Sequence, residues 1–241
     1  MGLYLRQLLA GRDFAKSDGF ASRMVNFVYV AGDEESRECV VVDPAWDVRG
    51  IIDFIDCEEM KLVGALVTHY HPDHIGGDLF GYRVEGLGEL LSLRPVKLHV
   101  NRLESDGIKV VAGVSASDMT EHDGGDEITV GSIAVKFLHT PGHTPGSQCF
   151  LIGSNLISGD TLFIGGCGRV DLPGGNGEQL KYSLTQVLGK LPDETWLYPG
   201  HDYGSKPVGS IGEEKRENYF FKMARLTDLV ESKDLDNRSK E

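Results

Sequence analysis

A short apolar run, LVGALV (62–67), ends abruptly in THYHPDHIGG (68–77), which sets His69, His71, Asp73 and His74 almost side by side. A run this short, closed by a proline and two glycines, reads as a buried strand rather than a helix. A solvated loop has no use for such a cluster, and a closed core would have to satisfy every ring nitrogen. The fold must therefore carry a strand to an open edge and bring further groups to meet the histidines there.

His69 and His71 alternate, and in extended backbone side chains two apart point the same way, so both imidazoles can converge on one ion. Pro72 disfavours helix at His71. A turn there sends Asp73 and His74 to a second point nearby, and Gly76 and Gly77 let the chain leave without a bulky Cβ. Imidazole and carboxylate donors with no thiolate close by suit Zn²⁺, Mn²⁺ or non-haem iron. Four side chains from one segment rarely complete a catalytic shell, so other strand ends should add donors. Three segments repeat the order of apolar run, tight turn and ligand: HTPGHTPGS (139–147) with His143, SGDTLF (158–163) with Asp160, and YPGHDYG (198–204) with His201.

Between these segments the pattern alternates. β-Rich runs are expected at 24–31, 38–43, 62–67, 96–100, on either side of Gly131, on either side of Ser154-Asn155, and at 195–198. Amphipathic stretches at 46–58, 101–112 and 177–189 read as helices. The expectation is one domain over 1–241, helices outside and two sheets inside, with an insertion around 78–95 and a short helical tail over 213–241. His99 reads as a packed strand residue, His122 in TEHDGGDE as a solvated loop residue, and His139 as a packing residue or a support behind the ligands. Cys167 reads as a small space-filler in a glycine loop.

Composition narrows the function. A formal charge of −13 argues against nucleic acid as a partner and repels anions unless bound metal reverses the sign locally. No apolar stretch is long enough for a membrane span, and the first residues lack a secretory pattern. Cys39, Cys57, Cys149 and Cys167 form no CxxC pair, which favours a reducing cytoplasmic location.

The ordered set THYHPDH, HTPGHT, SGDTLF and YPGHDYG resembles the metallo-β-lactamase superfamily over residues 25–220. The resemblance implies an α/β (α+β) fold, a four-layer αββα sandwich. It implies two divalent ions, zinc first and iron or manganese as alternatives. His69, His71 and His143 would hold one ion, Asp73, His74 and His201 the other, and Asp160 would bridge them. A metal-bound hydroxide would be the nucleophile, with Asp73 as the catalytic residue that orients it and takes its proton.

SGDTLFIGGCGRVDLPGG, YPGHDYG and IGEEKREN are similar to the glyoxalase II-type thioester hydrolases. The expected function is thus metal-dependent hydrolysis of a small thioester or related ester, a glutathione or other thiol conjugate. The same elements resemble the persulfide dioxygenases, which implies one Fe(II) and a sulfur substrate as the alternative. A non-enzymatic metal-binding scaffold is the third reading. Arg169, in the glycine-rich loop after Asp160, could grip a substrate carboxylate or a neighbouring protein carboxylate. Tyr203 could reach substrate. Long glyoxalase II enzymes carry a C-terminal helical domain that supplies much of the glutathione site, and little follows His201 here. The stretch from His74 to His143 is longer than either branch leads one to expect, so GYRVEGLGELLSLRP is expected to line or cover the mouth of the site. A homo-oligomer is left open.

Overall fold

The computed structural model describes residues 2–225. Two six-stranded sheets face each other. The first runs in the order Leu3–Leu9, Phe27–Asp33, Glu38–Val42, Lys61–Leu66, Lys97–Asn101 and Met119–His122. Its first three strands pair antiparallel and the rest parallel. The second runs Gly209–Ser210, Trp196–Pro199, Asn155–Gly159, Gln148–Ile152, Ile133–His139 and Glu127–Val130.

Alternation along the strands explains the layering. Val28, Val30, Cys39 and Val41 face one apolar cluster, and Phe27, Tyr29, Val40 and Val42 face another. With a side-chain period of two, a strand buried on both faces needs apolar residues at every position. The inner cluster joins the sheets, setting Phe27, Tyr29 and Leu66 against Phe137, Phe150 and Ile157. Outside the first sheet pack Ile51, Ile52 and Ile55 of helix Val48–Cys57, with Leu87, Leu90 and Ile108. Each such side chain contributes roughly 1.5–3 kcal/mol by leaving water. Outside the second sheet, Leu184, Leu188, Ile211 and Phe221 cover Leu156 and Leu197. Three apolar layers between four structural layers give the αββα sandwich.

Helix Val48–Cys57 starts where Asp47 accepts a hydrogen bond from the Gly50 N–H (2.8 Å). The segment after the histidine cluster forms a two-stranded hairpin, Gly77–Leu79 with Tyr82–Val84, and then helix Leu87–Leu93. Leu87 and Leu90 are fully buried, so the helix packs into the sandwich, and GYRVEGLGELLSLRP does not line the mouth of the site as expected; Asp78, Leu79 and Phe80 just before it do. At the chain's end, Ile211–Glu217 is helical, as are residues 219–225; the remainder of the expected tail lies outside the described residues.

One expectation is corrected here. His122 is not a solvated loop residue. It ends the edge strand Met119–His122, is buried, stacks on Phe137 at 4.3 Å and lies 2.9 Å (Nε2) from His99 Nδ1. Among the described residues, no helix is long and apolar enough to cross a membrane.

Candidate metal centre

The strand ends of both sheets meet at one edge. An isolated antiparallel bridge pairs Asn26 with His201, and the Phe27 N–H donates to the Gly200 carbonyl (2.8 Å). Backbone thus ties the two sheets together beside the site.

His69 and His71 leave strand Lys61–Leu66 in extended conformation, and His71 (φ −69°, ψ 143°) caps the short helix Pro72–Ile75. Pro72 takes the first helical position, where its missing N–H costs nothing. That one turn buries Asp73 and His74 and sets the His74 ring 4.3 Å from the His69 ring, with its Nε2 turned towards Asp160 and His201. Gly76 then turns at φ +83°, and a Cβ there would fall 2.6 Å from the Gly86 nitrogen. The HTPGHTPG turn presents His143, and His139 Nε2 lies 3.0 Å from the Pro145 carbonyl, so His139 holds that turn from behind. Asp160 follows strand Asn155–Gly159. Gly200 passes so close to it that a Cβ would sit 2.4 Å from Asp160 Oδ1.

The seven side chains converge. Ligand atoms of His69, His71 and His143 lie within 4.8 Å of one another, and so do those of Asp73, His74 and His201. Asp160 stands between the groups. Its Oδ1 is 3.3 Å from His74 Nε2, and its Oδ2 is 3.6 Å from His143 Nε2 and 3.4 Å from His201 Nε2.

Four rings are fixed through their other nitrogen. His69 Nδ1 pairs with Thr68 Oγ1 (2.9 Å), His74 Nδ1 with Asp43 Oδ2 (3.0 Å), His143 Nδ1 with the Arg169 carbonyl (2.8 Å) and His201 Nδ1 with the Met24 carbonyl (2.8 Å). Outer partners of this kind occupy Nδ1, so each Nε2 faces inward, free to take a metal or a further proton. The consequence is an arrangement no neutral core would choose. Nε2 of His69 and of His143 and Oδ1 of Asp160 are buried without a hydrogen-bond partner, and Nε2 of His74 lies 3.2 Å from Nε2 of His201. Ring nitrogens and carboxylate oxygens buried this close together are stabilised by a cation. With only imidazole and carboxylate donors, the set fits zinc, iron or manganese. This is a metal-binding site of His and Asp residues.

Charge is distributed unevenly. Burial pushes His69 well below the usual imidazole range and His71 down to about 4, helped by neighbouring imidazoles. Burial also opposes charge on His74 and His201, but the Asp73 and Asp160 carboxylates outweigh it; His74 is raised well above the usual range and His201 to about 9. Burial alone would raise Asp73 and Asp160, yet His74 and His201 hold both well below the carboxylate range.

Three supports stand behind the ligands. Asp43 accepts from the Thr68 N–H (2.8 Å) and Thr68 hydroxyl (2.6 Å) as well as facing His74. It follows ECVVV, the same order of apolar run and acid seen at Asp160, which was its signal. Asn26 donates to the Asp73 carbonyl (3.1 Å) and Oδ2 (3.0 Å) while accepting from the Trp46 indole (3.1 Å). Glu104, fully buried, accepts from the Tyr70 N–H, the Gly146 N–H and the Thr144 hydroxyl, which clamps the loops of His69 and His143 together.

A cavity of about 860 Å³ opens over the centre, lined by Asp73, His143, Asp160 and His201 and, at its walls, by Arg169 and Tyr203. The Arg169 guanidinium spans both Asp171 oxygens (2.7 Å each), the protein-carboxylate alternative. The Tyr203 ring stacks on His201 (4.5 Å, 7°).

The family model described as the metallo-beta-lactamase superfamily matches residues 22–201. A persulfide dioxygenase, ETHE1 of Mus musculus, is 33% identical over 83% of this chain and 72% of its own length. A probable hydroxyacylglutathione hydrolase, glo2 of Schizosaccharomyces pombe, is 33% identical over 86% of this chain and 73% of its own. The crystal structure of ETHE1 from Myxococcus xanthus superposes with a TM-score of 0.72 at 34% identity, covering 90% of this chain and 83% of that one.

Proposed function

The chain belongs to the metallo-β-lactamase superfamily, and from that premise we propose that it is a metal-dependent hydrolase of a small thioester or related ester. The observation that carries this reading is the position of the Asp160 carboxylate between two imidazole-rich groups, at the floor of an open cavity. A pair of divalent ions, zinc first among them, supplies hydroxide at neutral pH and polarises the carbonyl when bound.

The chain's own residues do the rest. His69, His71 and His143 would hold one ion and Asp73, His74 and His201 the other, with Asp160 standing between the two groups. Asp73 orients the attacking water and takes its proton. Its carboxylate stays ionised beside His74 and His201 and is steadied by the Asn26 amide. Tyr203, at the wall, offers its hydroxyl to the substrate. Arg169 contributes to substrate binding only by exchanging Asp171 for a substrate anion. Four free cysteines suit a reducing cytoplasm.

A second reading, one Fe(II) on the first group and oxidation of a sulfur substrate, is favoured by the similarity to the ETHE1 proteins. Elemental analysis of protein purified without added metal, with two assays, separates the readings. Two metals per chain and thiol release from a small thioester are expected. One iron per chain, with O₂ uptake on glutathione persulfide and no thioester hydrolysis, would establish the second reading instead.

A further inference from the structure

Phe80 sits at the tip of the hairpin that follows the ligand-bearing turn, 95% exposed, and it lines the same cavity as Asp73 and Asp160. Its backbone is left-handed (φ +55°), a conformation that bulky side chains rarely adopt. Neither burial nor backbone preference selects phenylalanine at such a position. The stalk beneath it is the opposite. Leu79 and Val84 are buried, the Tyr82 ring stacks on Phe20 at 4.4 Å, and the Tyr82 hydroxyl donates to Asp18 (2.7 Å). A firmly rooted hairpin thus holds a bare aromatic ring at the mouth of the centre.

Much of the cavity wall is apolar: Phe163, Ile164, Leu172 and Pro173 line it too, all from the segment that follows Asp160. Among the described lining residues Arg169 is the one Lys or Arg side chain, and Asp171 already occupies its guanidinium. Asp78 adds a further carboxylate, and the whole chain carries a charge of −13. A substrate arm with two carboxylates finds a single guanidinium on these walls, and that one already paired, whereas an uncharged apolar arm would displace water from apolar wall.

We propose that Phe80 is a specificity-determining residue, a clamp that selects thioesters whose arm is apolar and uncharged over glutathione conjugates. The proposal deepens the hydrolase reading and rests on it for the reacting end of the substrate.

The test uses metal-loaded protein and S-alkyl thioethers of N-acetylcysteamine, from methyl to octyl, which bind without reacting. By calorimetry, affinity should rise with chain length by up to about fourfold per methylene. Phe80→Ala should weaken the octyl compound by about tenfold or more and leave the methyl compound unchanged, with Phe80→Leu keeping most of the slope. Because the ring is exposed, both variants should melt with the parent protein. S-octylglutathione should bind no tighter than the neutral octyl thioether. A flat series, an unchanged slope in Phe80→Ala, or a glutathione thioether that binds much tighter would each overturn the proposal. Hydrolysis of the matching thioesters is followed in parallel. Absence of turnover with the binding series intact would overturn the hydrolase reading alone and leave the selection by Phe80 standing.

Discussion

His69 and His71 on one side of the centre, and His74 and His201 on the other, are buried imidazoles except for the half-buried His71, yet the two pairs treat protons in opposite ways. Burial pushes the first pair towards neutrality, His71 to about 4, whereas Asp73 and Asp160 draw protons onto the second, His201 to about 9. The difference lies in where the carboxylates stand. Asp43, Asp73 and Asp160 all approach His74 within 3.4 Å. With no ion bound, His69 and His71 are held neutral, whereas at His74 and His201 a cation competes with a proton.

The largest effect tests what the halves share. Asp160→Ala should deplete both positions, by more than the roughly 10–100-fold lost with an outer partner; metal analysis that finds one position still filled would show that the halves are independent. Next is pH. Protons compete with the cation at His74 and His201, so as pH falls below about 9 affinity for the second ion should drop by about tenfold per unit for each proton displaced. The first ion should be lost less steeply over the same range, because burial holds His69 and His71 below the usual imidazole range. Metal content measured at pH 8 and pH 6 checks this, and a parallel loss of both ions would break the contrast. Asp43→Asn should then weaken the second ion by about 10–100-fold, because His74 Nδ1 loses its carboxylate. A metal titration showing an equal loss at both positions would remove the asymmetry assigned to Asp43.

The smallest effect concerns stability. Glu104→Gln puts an amide N–H against a donor and should cost about 1–3 kcal/mol in urea unfolding. Burial raises Glu104 from 4.5 to about 7, so between those values the folded state binds more protons than the unfolded one. Stability from this group is therefore lost as pH rises through that window, and the variant should lack that slope.

The convergence of the seven side chains was legible because each ends a local pattern of apolar run and tight turn. His69 and His71 follow Lys61–Leu66, and Asp160 follows Asn155–Gly159. Strand alternation in FVYVAGD and ECVVV likewise carried the layering. What escaped depends on contacts between distant segments. Asp43 acts because its strand lies parallel beside Lys61–Leu66, which sets it against Thr68. Glu104 reaches His143's loop across the fold, and nothing around it in sequence announces that. His122 was misread because its neighbours are polar, while its burial comes from Phe137 on the other sheet. Leu3–Leu9 and Met119–His122 are edge strands whose pairing, rather than composition, defines them.

Anomalous diffraction from crystals grown at pH 8 with zinc decides the central claim most directly. Two peaks should appear, one among His69, His71 and His143 and one among Asp73, His74 and His201, with the Asp160 carboxylate contacting both. A single peak at the first group, with the His74 and His201 rings still facing each other and no ion between them, would contradict it.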